Sequence, residues 1–194
     1  MKKGRLEAFS DGVLAIIITI MVLDLKVPSG NNLASLNSIS LVFVSYILSF
    51  IIIGIYWNNH HHLMHAAQEV SGKILWSNLH LLFWLSLIPF TTNWMGRNFL
   101  SPWPVAVYGV DLLMAAIAYF ILSKTLISHH GKDSILAKAV GKDTKGIISI
   151  LIYLTALPFS FFISWFSYGL YILVAIIWFV PDRRIENPDQ EKLK

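Results

Sequence analysis

Six long apolar segments follow one another along the chain, with few polar residues between them. Apolar stretches of about 18 residues or more are typical of helices that cross a membrane. Charged residues make up 13% of the sequence, whereas soluble domains carry about 25%. The sequence therefore predicts an all-α membrane protein with six transmembrane helices, near residues 5–25, 39–65, 73–96, 104–127, 145–164 and 168–181.

These helices are expected to form one transmembrane domain over residues 1–181, followed by a short polar cytoplasmic tail over residues 182–194. Gly72 separates the second helix from the third, and the sequence SPWP separates the third from the fourth. Pro158 is expected to bend or interrupt the fifth helix, because proline lacks a hydrogen-bond donor and clashes with the preceding turn.

The basic residues predict the orientation in the membrane. The N-terminus, the 66–73 turn, the 124–146 loop and the C-terminus are expected on the same side of the membrane. That side then carries 13 of the 15 Lys and Arg residues, and only Lys26 and Arg97 lie on the other side. The positive-inside rule assigns that side, and so both termini, to the cytoplasm. The net charge of +4 is thus explained by the basic residues that set the orientation in the membrane. No nucleic-acid partner is expected.

The first helix carries acidic residues at both ends of a short apolar run. Val13–Leu23 spans about 17 Å as a helix, whereas the hydrocarbon layer of a bilayer is about 30 Å thick. Either this segment does not cross the membrane, or Asp11 and Asp24 lie at membrane depth and are satisfied by protein or water. Ionisable groups at membrane depth are rare and usually paired.

Asp11 is expected to find its partners on the second and third helices, at the same level of the membrane. The candidates are polar residues near the cytoplasmic ends of those helices: Trp57, His60, His61, His62, His65, Asn78 and His80. A structural polar network that joins three helices is the predicted role. Arg5 lies six residues before Asp11 and reaches it only if the start of the helix is distorted.

The apolar run of the first helix places Ile16, Ile20 and Leu23 on one side, with Thr19 at its edge. That side faces lipid, the protein core or a pore, and the spacing alone does not distinguish these. The Thr19 hydroxyl is expected to bond the carbonyl of Ala15 one turn earlier.

Other polar residues leave alternatives open. Asp24 either raises the local cation concentration at the outer end of the first helix or is a solvated helix end. Asp111, inside the fourth helix, is either functional or hydrogen-bonded to Asn93 or Tyr108. His61 and His65 are four residues apart, which places both imidazoles on one face of a helix, where they could bind a metal ion. A full set of metal ligands is missing from the sequence, so no metal or other cofactor is expected.

Five segments of the sequence resemble the transmembrane protein 175 family of potassium channels. RLEAFSDG at residues 5–12 is similar to the RxxxFSD signature of that family, and the following DGVLAIIITIMVLDLKVP resembles its first helix. WNNHH from Trp57 resembles a W-x-x-H-H element on helix two, and NLHLLFWLSLIPF from Asn78 resembles helix three. VPDRRIE resembles a common ending of the prokaryotic members.

The resemblance implies a potassium-permeable cation channel rather than an enzyme, built as a homotetramer in the plasma membrane of a prokaryote, with helix one lining a central pore. K⁺ would be the permeant ion, and the partners would be other copies of the chain, the lipid bilayer and monovalent cations. Ile16 would form a hydrophobic constriction, with Ile20 and Leu23 as further apolar layers, Thr19 as a polar lining and Asp24 at the outer mouth. The residues implied to support helix one are Arg5, Phe9, Ser10, Asp11, Trp57, His60 and Asn78.

Two other classes of protein stay open on the sequence. A proton-coupled carrier or proton-permeable channel would use Asp111 or the histidines near His60 as a relay. A histidine-box membrane metalloenzyme would need bound iron or zinc.

Overall fold

The computed structural model describes residues 3–131, 134, 136–137 and 143–179. The α-helices with bounds inside these residues are α1 (Lys3–Leu23), α2 (Ser40–Ala66), α3 (Gly72–Arg97), α4 (Pro102–His130), α5 (Thr144–Phe162) and α6 (Ser164–Phe179), and a 3-10 helix over Leu33–Ile39 precedes α2. The prediction of an all-α protein with six helices is confirmed. The tail assigned to residues 182–194 lies outside the described residues.

Helices α1 to α5 are each long and apolar enough to cross a membrane, and α6 is apolar but has only 16 described residues. The predicted bounds differ from the observed ones mainly at the start of α6 and the end of α4. α6 begins at Ser164 rather than at residue 168, and α4 continues to His130 and so includes two histidines. Pro158 was predicted to bend or interrupt the fifth helix. It does not interrupt it, because α5 runs through that residue to Phe162, and a bend at Pro158 stays a prediction.

The core of the bundle lies along α3 and α4. Residues of α4 at intervals of three or four positions have almost no exposed surface, among them Tyr108, Leu112, Ala115, Leu122 and Leu126. This spacing keeps one side of a helix turned toward its neighbours. α4 packs against α3, α5 and α6, so it lies at the centre of the described bundle.

Helices α2 and α3 approach each other closely at Gly96. A Cβ atom at this position would lie 2.8 Å from the Cα of Val42 and 3.2 Å from the Oγ of Ser45. Small residues allow helix backbones to approach in this way. Glycine is therefore required at position 96 by the neighbouring backbone.

Helix α1 packs against α2 and α3. Its buried residues are Leu6, Ser10, Leu14, Ile17 and Met21, which follow one another at helical spacing along one side. The opposite side of α1 is not covered by the other residues that the structure describes, and it carries the residues considered next.

Candidate functional site

A chain of hydrogen bonds joins α1, α2 and α3 through three fully buried or nearly buried side chains. The Ser10 hydroxyl donates to the carbonyl of Leu6 at 2.9 Å, so its oxygen accepts from Asn78 Nδ2, also at 2.9 Å. The amide oxygen of Asn78 then faces His60 Nε2 at 2.7 Å. Because an amide oxygen only accepts, His60 Nε2 carries a hydrogen and donates it.

A second link joins α1 to α2 beside this chain. Trp57 Nε1 donates to the Asp11 carboxylate at 3.1 Å. Asp11 follows Ser10 on α1, and Trp57 lies about one turn before His60 on α2. The two links together fix both the position of α1 and its rotation about its own axis.

Arg5 and Phe9 lie outside these links. Both side chains are exposed on the chain, and α1 is a regular helix from Lys3, so Arg5 is not brought to Asp11. Lys3 instead reaches α2, where its Nζ donates to the carbonyl of His65 at 3.0 Å, and it also lies 3.9 Å from a carboxylate oxygen of Glu7. The Lys3 contact could not be predicted from the sequence, since its acceptor is a backbone carbonyl.

The uncovered side of α1 is apolar in its middle and polar toward its ends. Ile16, Ile20 and Leu23 are 58%, 47% and 80% exposed. Thr19 is exposed on the same side, and its hydroxyl donates to the carbonyl of Ile16 at 2.9 Å. The expected bond from Thr19 to Ala15 is therefore wrong by one residue. The hydroxyl hydrogen is used within the helix, so the Thr19 oxygen presents its lone pairs outward.

An open cleft of about 470 Å³ separates part of this side of α1 from α3. The α1 residues that line it are Val13, Ile16, Ile17, Ile20 and Asp24, and the α3 residues are Ser86, Pro89, Phe90 and Asn93. Asp24 and Asn93 place polar groups in the cleft, and Arg97 Nε donates to Asn93 Oδ1 at 2.7 Å.

Asp111 belongs to a different part of the bundle. It is 2% exposed and accepts a hydrogen bond from the Thr91 hydroxyl at 2.9 Å. The expected partners Asn93 and Tyr108 are wrong. Asn93 bonds Arg97, and the Tyr108 hydroxyl lies 2.9 Å from Ser49 Oγ.

Ser49 is also 2.6 Å from Thr92 Oγ1. Hydroxyl groups of α2, α3 and α4 thus form a buried cluster near Asp111. Sequence reasoning missed this cluster, because serine and threonine inside helices usually bond their own backbone.

The histidines of α2 do not assemble a metal site in the described part of the chain. Over residues 3–131, 134, 136–137 and 143–179, no three histidine, aspartate or glutamate side chains are arranged to hold a metal ion. The rings of His61 and His65 lie 6.3 Å apart, and Trp57 stacks on His61 at 6.3 Å. These rings form an aromatic row on α2.

The fold and these contacts define a multi-pass membrane protein whose first helix is tied to the next two by polar side chains. The profile of the family described as "Endosomal/lysosomal potassium channel TMEM175" matches residues 5–89. A protein named as a potassium channel from Chryseobacterium sp. is 55% identical over 98% of this chain and 100% of its own length. The chain belongs to the TMEM175 family.

A solved relative has the same fold. The crystal structure described as "a lysosomal potassium-selective channel TMEM175 homolog" from Chamaesiphon minutus superposes with a TM-score of 0.79 and 30% identity, over 91% of this chain and 95% of that chain. The human relative, named as an endosomal/lysosomal proton channel, is 35% identical over 43% of this chain and 19% of its own length. The family and these relatives are channels rather than enzymes.

Proposed function

We propose that four copies of the chain form a potassium-permeable cation channel in the plasma membrane of a prokaryote, with both termini in the cytoplasm and α1 of each copy around a central pore. The observation that carries this proposal is the uncovered side of α1. It combines exposed aliphatic side chains with Thr19 and lies between the carboxylates of Asp11 and Asp24.

This side of α1 does not suit contact with lipid. Asp11 and Asp24 are 13 residues apart in the sequence, which corresponds to about 20 Å along a helix. The hydrocarbon layer is about 30 Å thick, so a lipid-facing α1 would place at least one carboxylate in hydrocarbon, at a high cost in free energy. Packing α1 at the centre of an oligomer places both carboxylates in water-filled entrances instead.

A ring of four Ile16 side chains would form the narrowest part of this pore, with Ile20 and Leu23 as further apolar rings. A hydrophobic ring of this kind opens and closes conduction by wetting and dewetting. Thr19 lies beside Ile16 and offers an oxygen whose own hydrogen is bonded to the helix. It is the candidate ligand for a partly dehydrated cation, and Asp24 would attract cations at the outer mouth.

The polar links to α2 and α3 would hold each α1 at the rotation that turns Ile16 toward the axis. Ser10, Asn78 and His60 supply the buried link, and Trp57 with Asp11 supplies the exposed one. Arg5 and Phe9, whose side chains are exposed among the described residues, would extend this support through contacts with neighbouring copies.

The test is ion flux from liposomes that contain the purified protein and are loaded with either K⁺ or Na⁺. Rapid, non-saturating K⁺ efflux with weaker Na⁺ efflux is expected. Ile16→Asn should wet the constriction and reduce the preference for K⁺ over Na⁺. Ile147→Asn is the matched control, because Ile147 is a similarly exposed isoleucine in the first turn of α5. Unchanged selectivity in Ile16→Asn would remove Ile16 from the constriction.

Proton permeation is the second candidate function, and it is favoured by the vertebrate relatives that are named as proton channels. A pH-sensitive dye inside the same liposomes distinguishes it. Proton flux without K⁺ flux would replace the first proposal, and slow, saturating exchange of protons against cations would indicate a carrier. Absence of any flux, together with bound iron or zinc, would support the metalloenzyme.

A further inference from the structure

His130, the last residue of α4, contacts the loop of residues 67–71 that joins α2 to α3. Its Nε2 lies 3.0 Å from the backbone nitrogen of Gln68 and 3.2 Å from that of Glu69. Both of these are N–H donors, so Nε2 acts as an acceptor and carries no hydrogen. Its Nδ1 lies 2.9 Å from the carbonyl of Leu126, which only accepts, so Nδ1 carries the hydrogen. The neutral ring protonated at Nδ1 satisfies all three contacts.

We propose that His130 is a proton-sensitive latch that fastens the α2–α3 loop to α4 while its ring is neutral and releases the loop when the ring is protonated. A proton on Nε2 would face the two backbone N–H groups of Gln68 and Glu69, and both hydrogen bonds would be lost. Imidazole is the side chain that gains a proton between about pH 8 and pH 5. The stabilising contacts are therefore present at the higher pH and are lost as the pH falls.

The titratable and charged groups near the latch come from the loop, the end of α4 and the start of α3. Glu69 lies in the loop itself, and its backbone nitrogen is one of the two that His130 contacts. His129 lies next to His130 with ring centroids 5.2 Å apart, and Lys73 follows the loop in the first turn of α3. Among the residues that the structure describes, no carboxylate forms an ion pair with His130. The ring is partly exposed, so protons reach it from the water.

Release of this loop would act on the helices that support α1. The loop follows His65, whose carbonyl accepts from Lys3 of α1, and it precedes α3, which carries Asn78. The N-cap residue of α3, Ser71, makes no side-chain hydrogen bond to the helix. An N-cap hydrogen bond therefore does not hold the loop in place when the contacts with His130 are lost. A loosened loop would weaken the hold on α1 and lower K⁺ flux at acidic pH, a consequence that rests on the proposed channel function.

Hydrogen–deuterium exchange of the full-length protein in lipid nanodiscs tests the latch independently of ion flux. The Gln68 and Glu69 amides should exchange about tenfold to a hundredfold faster at about pH 5.5 than at about pH 8, after correction for intrinsic rates, as expected for the loss of two hydrogen bonds. His130→Gln keeps an acceptor without a titrating ring and should remove this pH dependence. His129→Gln, a change at an exposed neighbour, should retain it.

Equal protection of these amides at both pH values in the wild type would overturn the latch, and so would the same pH dependence in His130→Gln. In liposomes, acidification should reduce K⁺ efflux in the wild type and in His129→Gln but not in His130→Gln. Equal acid responses of all three proteins would overturn the coupling to α1. Absence of K⁺ flux at every pH would instead count against the channel, while the exchange measurement would still decide the latch.

Discussion

Replacing Asn78 by alanine removes the side chain that joins three helices. The variant loses the bond from Asn78 to Ser10 and the bond between Asn78 and His60, both of which are buried. Hydrogen bonds between membrane helices contribute about 0.6 kcal/mol on average and up to about 1.7 kcal/mol. Two of them give a loss of about 1–3 kcal/mol, which corresponds to a fall in melting temperature of about 3–10 °C for a chain of this length.

The assay is thermal unfolding of the purified protein in detergent, followed by tryptophan fluorescence. Asn59→Ala is the matched control, because the Asn59 side chain donates to the carbonyl of Ile55 in its own helix at 2.8 Å and links no other helix. It should change the melting temperature by less than about 2 °C. Equal shifts in Asn78→Ala and Asn59→Ala would refute the reasoning that the link between helices carries the stability.

Three further predictions follow from other contacts. Asp11→Ala should lower the yield of tetramers in size-exclusion chromatography with light scattering more than it alters permeation; normal yield with altered selectivity would reverse that ranking. Gly96→Ala should destabilise the protein by about 1–3 kcal/mol, measured by thermal unfolding, because its Cβ would press on the backbone of Val42. Burial raises the pKa of Asp143, the N-cap of α5 that accepts from Gly146 N at 3.2 Å. The folded state therefore holds that proton more tightly, and the stability it contributes is lost as the pH rises. Asp143→Asn should accordingly gain melting temperature over the wild type as the pH increases above about 4.

The helices could be predicted from the sequence because each long apolar segment has about the same length as the helix that it forms. The 3-10 helix over Leu33–Ile39 could not, since it is a short segment with polar residues among its leucines. The sequence also left open whether Pro158 bends or interrupts the fifth helix, and the structure shows that α5 is continuous there. A proline inside a membrane helix is tolerated where neighbouring helices and local adjustments satisfy the freed backbone groups.

The candidate site was predictable where unusual polar residues stand in an apolar context. His60 and Asn78 were named from the sequence as candidate partners of Asp11, and the family resemblance added Ser10. The three side chains meet in the structure. The partner of Asp111 was not predictable, because Thr91 has a normal place in a helix and nothing in the pattern separates it from other threonines. The sequence pattern also could not show which side of α1 is exposed, since nearly every residue from 13 to 23 is aliphatic.

The bond from Asn78 to Ser10 also has a consequence for biosynthesis. The side chains whose described hydrogen bonds link α1 to its two neighbours occur by position 78 of a 194-residue chain. N-terminal parts of a chain begin to fold first during synthesis. The three helices that contain these polar groups can therefore join in the membrane before α4 has entered it. During synthesis, the side chains of Asn78 and His60 are therefore exposed to lipid without a hydrogen-bond partner for only a short time.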